Sequence, residues 1–392
     1  MKKSISILGV LLILGCNDPF VTEFGDLEDA VMFEASNIPF IPIPYNGGPL
    51  KVVTWNIRFG IARFPFFGDS CGDDVILDDA TIEENMAAIA DSLNVMDADI
   101  VLLQEVDVSS KRTGYMDQVQ YLLDHTNLNY GCYASMWKAD YIASDGIGRI
   151  DAGNAILSKY KLTDAERIQL RLRTDQDELT QYFYLRRNIV KAKIPALAQG
   201  AQGAQDFYAV DIHATAFATD DTKQQHINKY IEVLGDIDAN GDIFVTGGDL
   251  NSVPPGSKYD FCLEDMCVVE QYIDKDGNEM AYHSIDSLNN GPHKEGSYFN
   301  NFDNEKDLLV PLYDNYVPAI DTLSGANLDA GHFTHAPSTS NHFGPLVKYD
   351  RKLDYLFTNG IWDTGSGSTH QGAWELSDHM PVSALFMPAG NE

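Results

Sequence analysis

Apolar residues recur along this chain with two periods, and stretches of the two alternate. Over "TIEENMAAIADSL" the apolar positions Ile82, Met86, Ile89 and Leu93 return every three or four residues, the spacing of one helix face. Thr81, with Glu84 three residues on, has the form of a capping box at its start. A second amphipathic helix is predicted over 222–235, with Ile227, Tyr230, Ile231 and Leu234 on one stripe, and a shorter one over 116–125. Elsewhere the pattern is strand-like. "KVVTWNIRFG", from Lys51 to Gly60, is rich in β-branched and aromatic residues. "ADIVLLQEV" is an apolar run typical of a strand buried on both faces. Further strands are predicted at 130–137, 154–159, 183–194, 206–214, 242–248, 352–358 and 382–387. Many strands with few helices imply an α/β fold in which two sheets pack face to face and helices cover the outside. No Pro/Ser-rich linker divides residues 49–392, so one domain is expected there. The polar stretch 268–350, rich in Gly, Asn and aromatics, is expected to hold short elements and to wall a pocket.

The opening residues add an address. "MKKSISILGVLLILGC" has two lysines, an apolar run from Ile5 to Leu14, and then Gly15-Cys16. The run is too short to span a bilayer comfortably and reads as a signal peptide over 1–16. Its ending resembles a bacterial lipobox, in which Cys16 becomes the lipidated first residue of the mature protein. The expected location is the cell envelope, anchored by lipid on its periplasmic or cell-surface side. Residues 17–48 read as a tether. Export permits disulfides among Cys71, Cys132, Cys262 and Cys267. Cys262 and Cys267 could bridge, and Cys71 with Cys132 would complete an even set; all three connectivities stay open. No Cys-x-x-Cys spacing favours zinc.

Charge narrows the partners. The 392-residue chain carries a formal net charge of -31. That sign repels a phosphate backbone, which lowers the expectation of a nucleic-acid substrate, although a local basic site could survive within it. A monomer is expected.

Polar residues gather where apolar strands stop. Asn56 lies in "TWNIRFG", Glu105 in "LLQEV", His213 in "DIHA", Asp354 in "KLDYLF", and Asp378 and His379 in "SDHMPV". In "DIFVTGGDLNS" the run Ile243-Phe244-Val245 ends at Gly247-Gly248, and Asp249 and Asn251 follow two residues apart, which in an extended chain aims both one way. Any one of these is more often a turn former or cap. Together, on neighbouring strands, they would build one polar basin on an apolar floor. "DIDANGDIFVTG" has the early spacing of an EF-hand loop, but its twelfth position is Gly247 and a strand follows, so it reads as a tight αβ turn. His332 and His335 in "GHFTHAP" read as surface loop histidines rather than pocket lining.

The motifs "TWNIRFG", "LLQEV", "GNAILSKY", "DIHA", "GGDLNS", "KLDYLF" and "SDHMPV", in that order, resemble the endonuclease/exonuclease/phosphatase family over about Lys51 to Phe386. Its members include pancreatic-type deoxyribonucleases, abasic-site endonucleases, inositol-polyphosphate 5-phosphatases and bacterial sphingomyelinases. The resemblance implies a four-layer α/β/β/α sandwich and metal-dependent attack of water on a phosphoester. It makes Glu105 the principal metal ligand, supported by Asn56, with Asp378 binding metal or orienting the network. Hard oxygen ligands suit Mg²⁺, with Mn²⁺ as an alternative. Asp249 positions or deprotonates the water, and Asn251 holds it or a phosphate oxygen. His213 hydrogen-bonds a phosphate oxygen or protonates the leaving group. Asp354 pairs with His379 and favours its imidazolium. Arg187, or Arg186 in its place, contacts phosphate, and Asn154 either lies near the site or forms a turn after Gly153. Lys294, Lys348, Arg351 and Lys352 are further candidates around the pocket. The expected substrate is a small-molecule or lipid-headgroup phosphoester. The alternatives are a nuclease of the same family and a non-catalytic surface binding lipoprotein that retains the fold.

Overall fold

In chain order the strands are β1 (Leu27–Asp29), β2 (Val31–Glu34), β3 (Leu50–Asn56), β4 (Ile100–Asp107), β5 (Tyr130–Ile142), β6 (Gly148–Ser158), β7 (Thr163–Gln169), β8 (Asn188–Lys193), β9 (Phe207–His213), β10 (Ile243–Asp249), β11 (Gln271–Ile273), β12 (Glu279–Ala281), β13 (Val317–Pro318), β14 (Asp354–Thr358), β15 (Ile361–Trp362), β16 (Ser368–Thr369) and β17 (Val382–Met387). The α-helices are α1 (Asp79–Met96), α2 (Gln118–His125), α3 (Glu178–Phe183), α4 (Thr222–Ala239) and α5 (Val310–Asn315). The structure is a computed structural model that describes residues 20–38, 44–64, 66, 74–142, 146–199, 204–216, 218, 220–255, 271–273, 279–281, 307–321, 330–336, 349 and 351–388. The expected leader 1–16 with Cys16 lies outside these residues, as do Cys71, Cys262, Cys267, Lys294 and Lys348. Among the described residues no helix is long and apolar enough to cross a membrane.

Two mixed sheets result. One runs β15-β17-β3-β4-β6-β5-β2 with β16 beside β17, and the other runs β1-β7-β8-β9-β10-β14-β13. β3 pairs with β4 in parallel, as β9 does with β10. Three apolar layers hold them. Ile82, Met86 and Ile89 of α1 and Val119 and Leu122 of α2 pack on Val53, Trp55, Val101 and Leu103, the outer face of the first sheet. Val52, Leu102 and Ile156 meet Ala209, Val245 and Leu356 between the sheets. Ile227, Tyr230 and Leu234 of α4 cover Val210, Ile212 and Phe244 on the outer face of the second sheet. The order is α/β/β/α, and β4 is buried on both faces because each of its faces meets a different layer.

Several local expectations give way. The cap of α1 is Asp78, whose carboxylate accepts from the Thr81 N–H at 3.0 Å, so the helix starts before the Thr81–Glu84 pair. β3 ends at Asn56; Arg58 and Phe59 take φ of 48° and 55° in a 3₁₀ turn, where a strand through Gly60 was predicted. Residues 178–183 are helix, capped by Asp177, and the strand expected from 183 begins at Asn188. Part of the stretch expected as a tether over 17–48 is sheet: β1 pairs with β7 of one sheet and β2 with β5 of the other. Those short strands cover an open edge of each sheet, and tertiary pairing overrides their weak local pattern. Cys132 is a free thiol within the layer between the sheets, so the pairing of Cys71 with Cys132 is not made.

Candidate active site

The layer between the sheets turns polar at one end. On β9, β10 and β14 the register places His213 beside Asp249 and Asp249 beside Asp354. Residues far apart in the chain thus stand in a row one strand apart. Gly247 and Gly248 precede Asp249 for a steric reason: a Cβ on the first would strike the Tyr355 carbonyl and on the second the Ile212 carbonyl.

The first sheet faces this row with Asn56 at the end of β3 and Glu105 on β4. Glu105 sits in the bulge between Leu103 and Val106 with φ 55°, a left-handed conformation that costs a non-glycine residue roughly 1 kcal/mol. The bulge takes Glu105 out of the two-residue alternation and re-aims its side chain. His379 arrives on the turn before β17. The Ser377 hydroxyl donates to the Asn56 carbonyl at 2.7 Å and accepts from the His379 N–H at 3.0 Å, and the Trp55 indole N–H donates to the His379 carbonyl at 2.9 Å.

Asp249 Oδ2 is the meeting point. Asn56 Nδ2 lies 3.1 Å from it, His213 Nε2 3.2 Å and His379 Nε2 3.8 Å. Glu105 Oε1 is 3.8 Å from His213 Nε2, and His379 Nδ1–H donates to Asp354 Oδ2 at 2.9 Å. Asn251 does not continue the strand. Its φ is 47°, its N–H donates to Asp249 Oδ1 at 2.9 Å, and its amide donates to the Ala214 carbonyl at 3.0 Å. The period-two reading of Asp249 and Asn251 therefore fails, and a side-chain turn joins the two instead.

The family described as the Endonuclease/Exonuclease/phosphatase family matches residues 53–379. The chain belongs to the endonuclease/exonuclease/phosphatase family. Among solved structures, the endonuclease/exonuclease/phosphatase from Beutenbergia cavernae has 17% identity and a TM-score of 0.54, over 88% of this chain and 72% of that one. A family protein from Leptotrichia buccalis has 14% identity and a TM-score of 0.48, over 86% and 99%. One from Bacteroides vulgatus has 15% identity and a TM-score of 0.47, over 86% and 98%. No curated protein matches the sequence. Members of the endonuclease/exonuclease/phosphatase family are usually hydrolases of phosphoester bonds and generally use a divalent metal.

The residues present fit such an ion. Glu105 and Asp378 keep 19% and 18% of their side-chain surface, while Asp249 keeps 2% and Asp354 none. Burial, then the negative charge of Asp378, pushes the Glu105 carboxyl up to about 7. The positive charges of Arg187 and His379 oppose this without cancelling it, so an arriving cation would still be favoured there. Carboxylate oxygens with an amide oxygen form a hard donor set. Asp378, His335 and His379 also bring possible ligand atoms within 4.8 Å of one another, although His379 could join them only as the neutral imidazole.

The two site imidazoles differ. Burial and then the Arg187 guanidinium press His213 down to about 4, against the pull of Asp249, so it is neutral at pH 7. Burial opposes charge on His379 as well, but Asp354 and Asp249 together hold it well above the usual imidazole range. Asp249 in turn is held far below the usual carboxylate range, because the His379 charge and the His213 hydrogen bond outweigh its burial.

Arg187 is the arginine that faces the site. It precedes β8, its Nε and Nη1 are buried without a hydrogen-bond partner among the described residues, and its charge acts on Glu105 and His213. Arg186 points away, ion-paired to Glu23 at 2.8 Å. Asn154 is on β6 rather than in a turn, and its amide donates to Asn188. The sequence reading missed Arg58, whose Nε lies 3.5 Å from Asp378 Oδ2, and undervalued His335, which is buried with its ring centroid 5.3 Å from that of His379. An arginine two residues after a strand-end Asn was a signal for the first. His335 owes its place to backbone bridges with Arg351 and His379, which no spacing announces.

Proposed function

We propose that this protein is an exported, lipid-anchored, metal-dependent phosphoesterase that hydrolyses a phosphomonoester or phosphodiester of a small molecule or lipid headgroup by attack of an activated water. The observation that carries it is the convergence of Asn56, His213 and His379 on Asp249 Oδ2. The anchor rests on the Lys-rich apolar leader ending in Gly15-Cys16, and the preference against nucleic acid on the net charge of -31.

Glu105, Asn56 and Asp378 are the residues to hold a divalent ion, which supplies charge neutralisation at the phosphate oxygens. The chain's own groups do the rest. Asp249, ionised at any working pH, accepts an O–H of the water and turns its lone pair toward phosphorus. Its low proton affinity suits orientation, with proton transfer following only as the P–O bond forms. His379, charged and held by Asp354, offers Nε2–H to the developing negative charge. His213 is neutral, so it serves as a hydrogen-bond donor rather than a strong acid. Arg187, whose Nε and Nη1 are without a hydrogen-bond partner among the described residues, is the residue to grip a phosphate oxygen in this reading.

The test is hydrolysis of bis(4-nitrophenyl) phosphate, 4-nitrophenyl phosphate, sphingomyelin and inositol phosphates, each with Mg²⁺ or Mn²⁺ and with chelator. Turnover with metal that stops with chelator supports the reading. Absence of turnover across the panel sinks it and leaves a binding protein.

A further inference from the structure

Asp211 is a buried acid for which the chemistry above has no use. It lies on β9 two residues before His213, is 0% exposed, and faces the layer between the sheets. Gln104, also 0% exposed, faces it from β4 one residue before Glu105. Gln104 Nε2 and Asp211 Oδ1 are 2.6 Å apart, a hydrogen bond that crosses from one sheet to the other. Gln104 Nε2–H is the donor of this bond, and the same nitrogen lies 3.2 Å from Thr54 Oγ1 and from the Leu102 carbonyl. Gln104 Oε1 and Asp211 Oδ2 are buried without a hydrogen-bond partner among the described residues. An ionised Asp211 would leave its second oxygen charged, desolvated and unpaired, a cost that a proton on the carboxyl removes.

The surroundings agree. Among the described residues the groups that act on Asp211 are Gln104 from β4, the Ile212 backbone and the like charge of Asp249 from β10, and none of these is a cation. Cys132 of β5 and Tyr230 of α4 lie close enough to feel its charge, and neither is cationic. Burial raises the Asp211 carboxyl well above its ordinary range, with Gln104 opposing.

We propose that Asp211 is held as a neutral carboxylic acid and that its pair with Gln104 is a clamp, joining β9 to β4 directly beneath the site and so positioning His213 and Glu105. What the clamp positions rests on the phosphoesterase reading; its proton does not. Asp211→Asn keeps a neutral donor and acceptor of the same shape, and Asp211→Leu removes both.

Three measurements, none using activity, test it. The infrared difference between the native protein and Asp211→Asn in D₂O at pH 7 should show the carbonyl stretch of a protonated acid; a carboxylate band there would overturn the proposal. The second is unfolding between pH 5 and 9. The folded protein keeps a proton that the unfolded chain, with a carboxyl pKa of about 3.9, has released, so stability falls as pH rises. Relative to Asp211→Asn, the folding constant of the native protein should drop as pH rises from 5, by at most about tenfold per pH unit, until the folded carboxyl itself releases its proton. A flat difference would contradict it. Hydrogen exchange of the β4 and β9 amides around Glu105 and His213 should quicken at least tenfold in Asp211→Leu and stay near native in Asp211→Asn. Equal protection in all three proteins would refute the clamp, while failure of the substrate panel alone would refute only the phosphoesterase reading.

Discussion

The two ends of the layer between the sheets share their strands but not their chemistry. At one end Val52, Leu102, Ala209, Val245 and Leu356 meet as fully or nearly fully buried apolar side chains. Two to four residues further along the same strands stand Asn56, Gln104, Asp211, His213, Asp249 and Asp354, also buried. The alternation that makes the core therefore also makes the site, and only residue type changes. The apolar end is held by area, at about 1.5–3 kcal/mol for each large side chain. The polar end is held by mutual satisfaction of charges and hydrogen bonds, so removing one member leaves the others exposed to their own burial cost. The sharpest way to break the polar end is Asp249→Asn. It keeps the shape but removes the charge that three neighbours face. We expect kcat for a phosphoester to fall about a thousandfold with the fold retained by circular dichroism, and the His379 imidazole to titrate closer to its ordinary range. Activity within tenfold of native would separate Asp249 from the chemistry.

The matching break at the apolar end is Leu102→Ala. Leu102 is 0% exposed between the sheets, and its truncation is expected to cost about 3–4 kcal/mol by denaturant unfolding. Below its lowered melting range the variant should retain kcat within a few-fold, since its side chain belongs to the apolar cluster between the sheets. A loss of kcat as large as that of Asp249→Asn would show that the ends are not separable.

The sequence displays the apolar end far better than the polar one. Strand and helix positions follow from periods that each segment carries within itself, as in α4, whose stripe Ile227, Tyr230 and Leu234 packs where its spacing places it. The strand-end residues were also legible, because a polar residue closing an apolar run stands out locally. What remained hidden depends on pairing between distant segments. The Glu105 bulge arises from a register shift against β6, His335 enters by bridging Arg351 and His379, and β1 and β2 are strands only because sheet edges await them. Asn251 misled for the opposite reason: local turn chemistry overrode the strand period.

A smaller effect sharpens the comparison from outside the layer. His226 of α4 is fully buried; its Nδ1 accepts from the Thr215 N–H at 3.1 Å and its Nε2–H donates to the Arg171 carbonyl at 2.7 Å. It thereby fixes the chain just after His213, where the Ala214 carbonyl holds Asn251. Burial presses His226 down to about 4, the Arg171 hydrogen bond opposing. The unfolded chain takes up this proton below about pH 6.5 and the folded one only near 4, so the contribution is complete above 6.5 and is lost as pH falls through that window. The native protein should lose about 3 kcal/mol relative to His226→Asn between pH 7 and pH 4 by chemical unfolding. Parallel pH profiles would show that the imidazole does not hold the polar end from behind.

The smallest expected effect concerns how the polar end joins its irregular parts to its regular ones. His213, Asp249 and Asp354 are placed by strand register, but His379 is placed by a turn, and the Ser377 hydroxyl is the link between that turn and the end of β3. Ser377→Ala leaves the buried Asn56 carbonyl and His379 N–H without this partner, at a cost of about 1 kcal/mol in stability. If the link also aims the imidazole, kcat should fall roughly fivefold, the rate equivalent of that same energy, with KM little changed. A stability loss with unaltered kcat would instead mean that Asp354 alone, through its 2.9 Å bond to Nδ1, orients His379. In that case register governs the whole polar end, and the turn merely delivers the side chain to it.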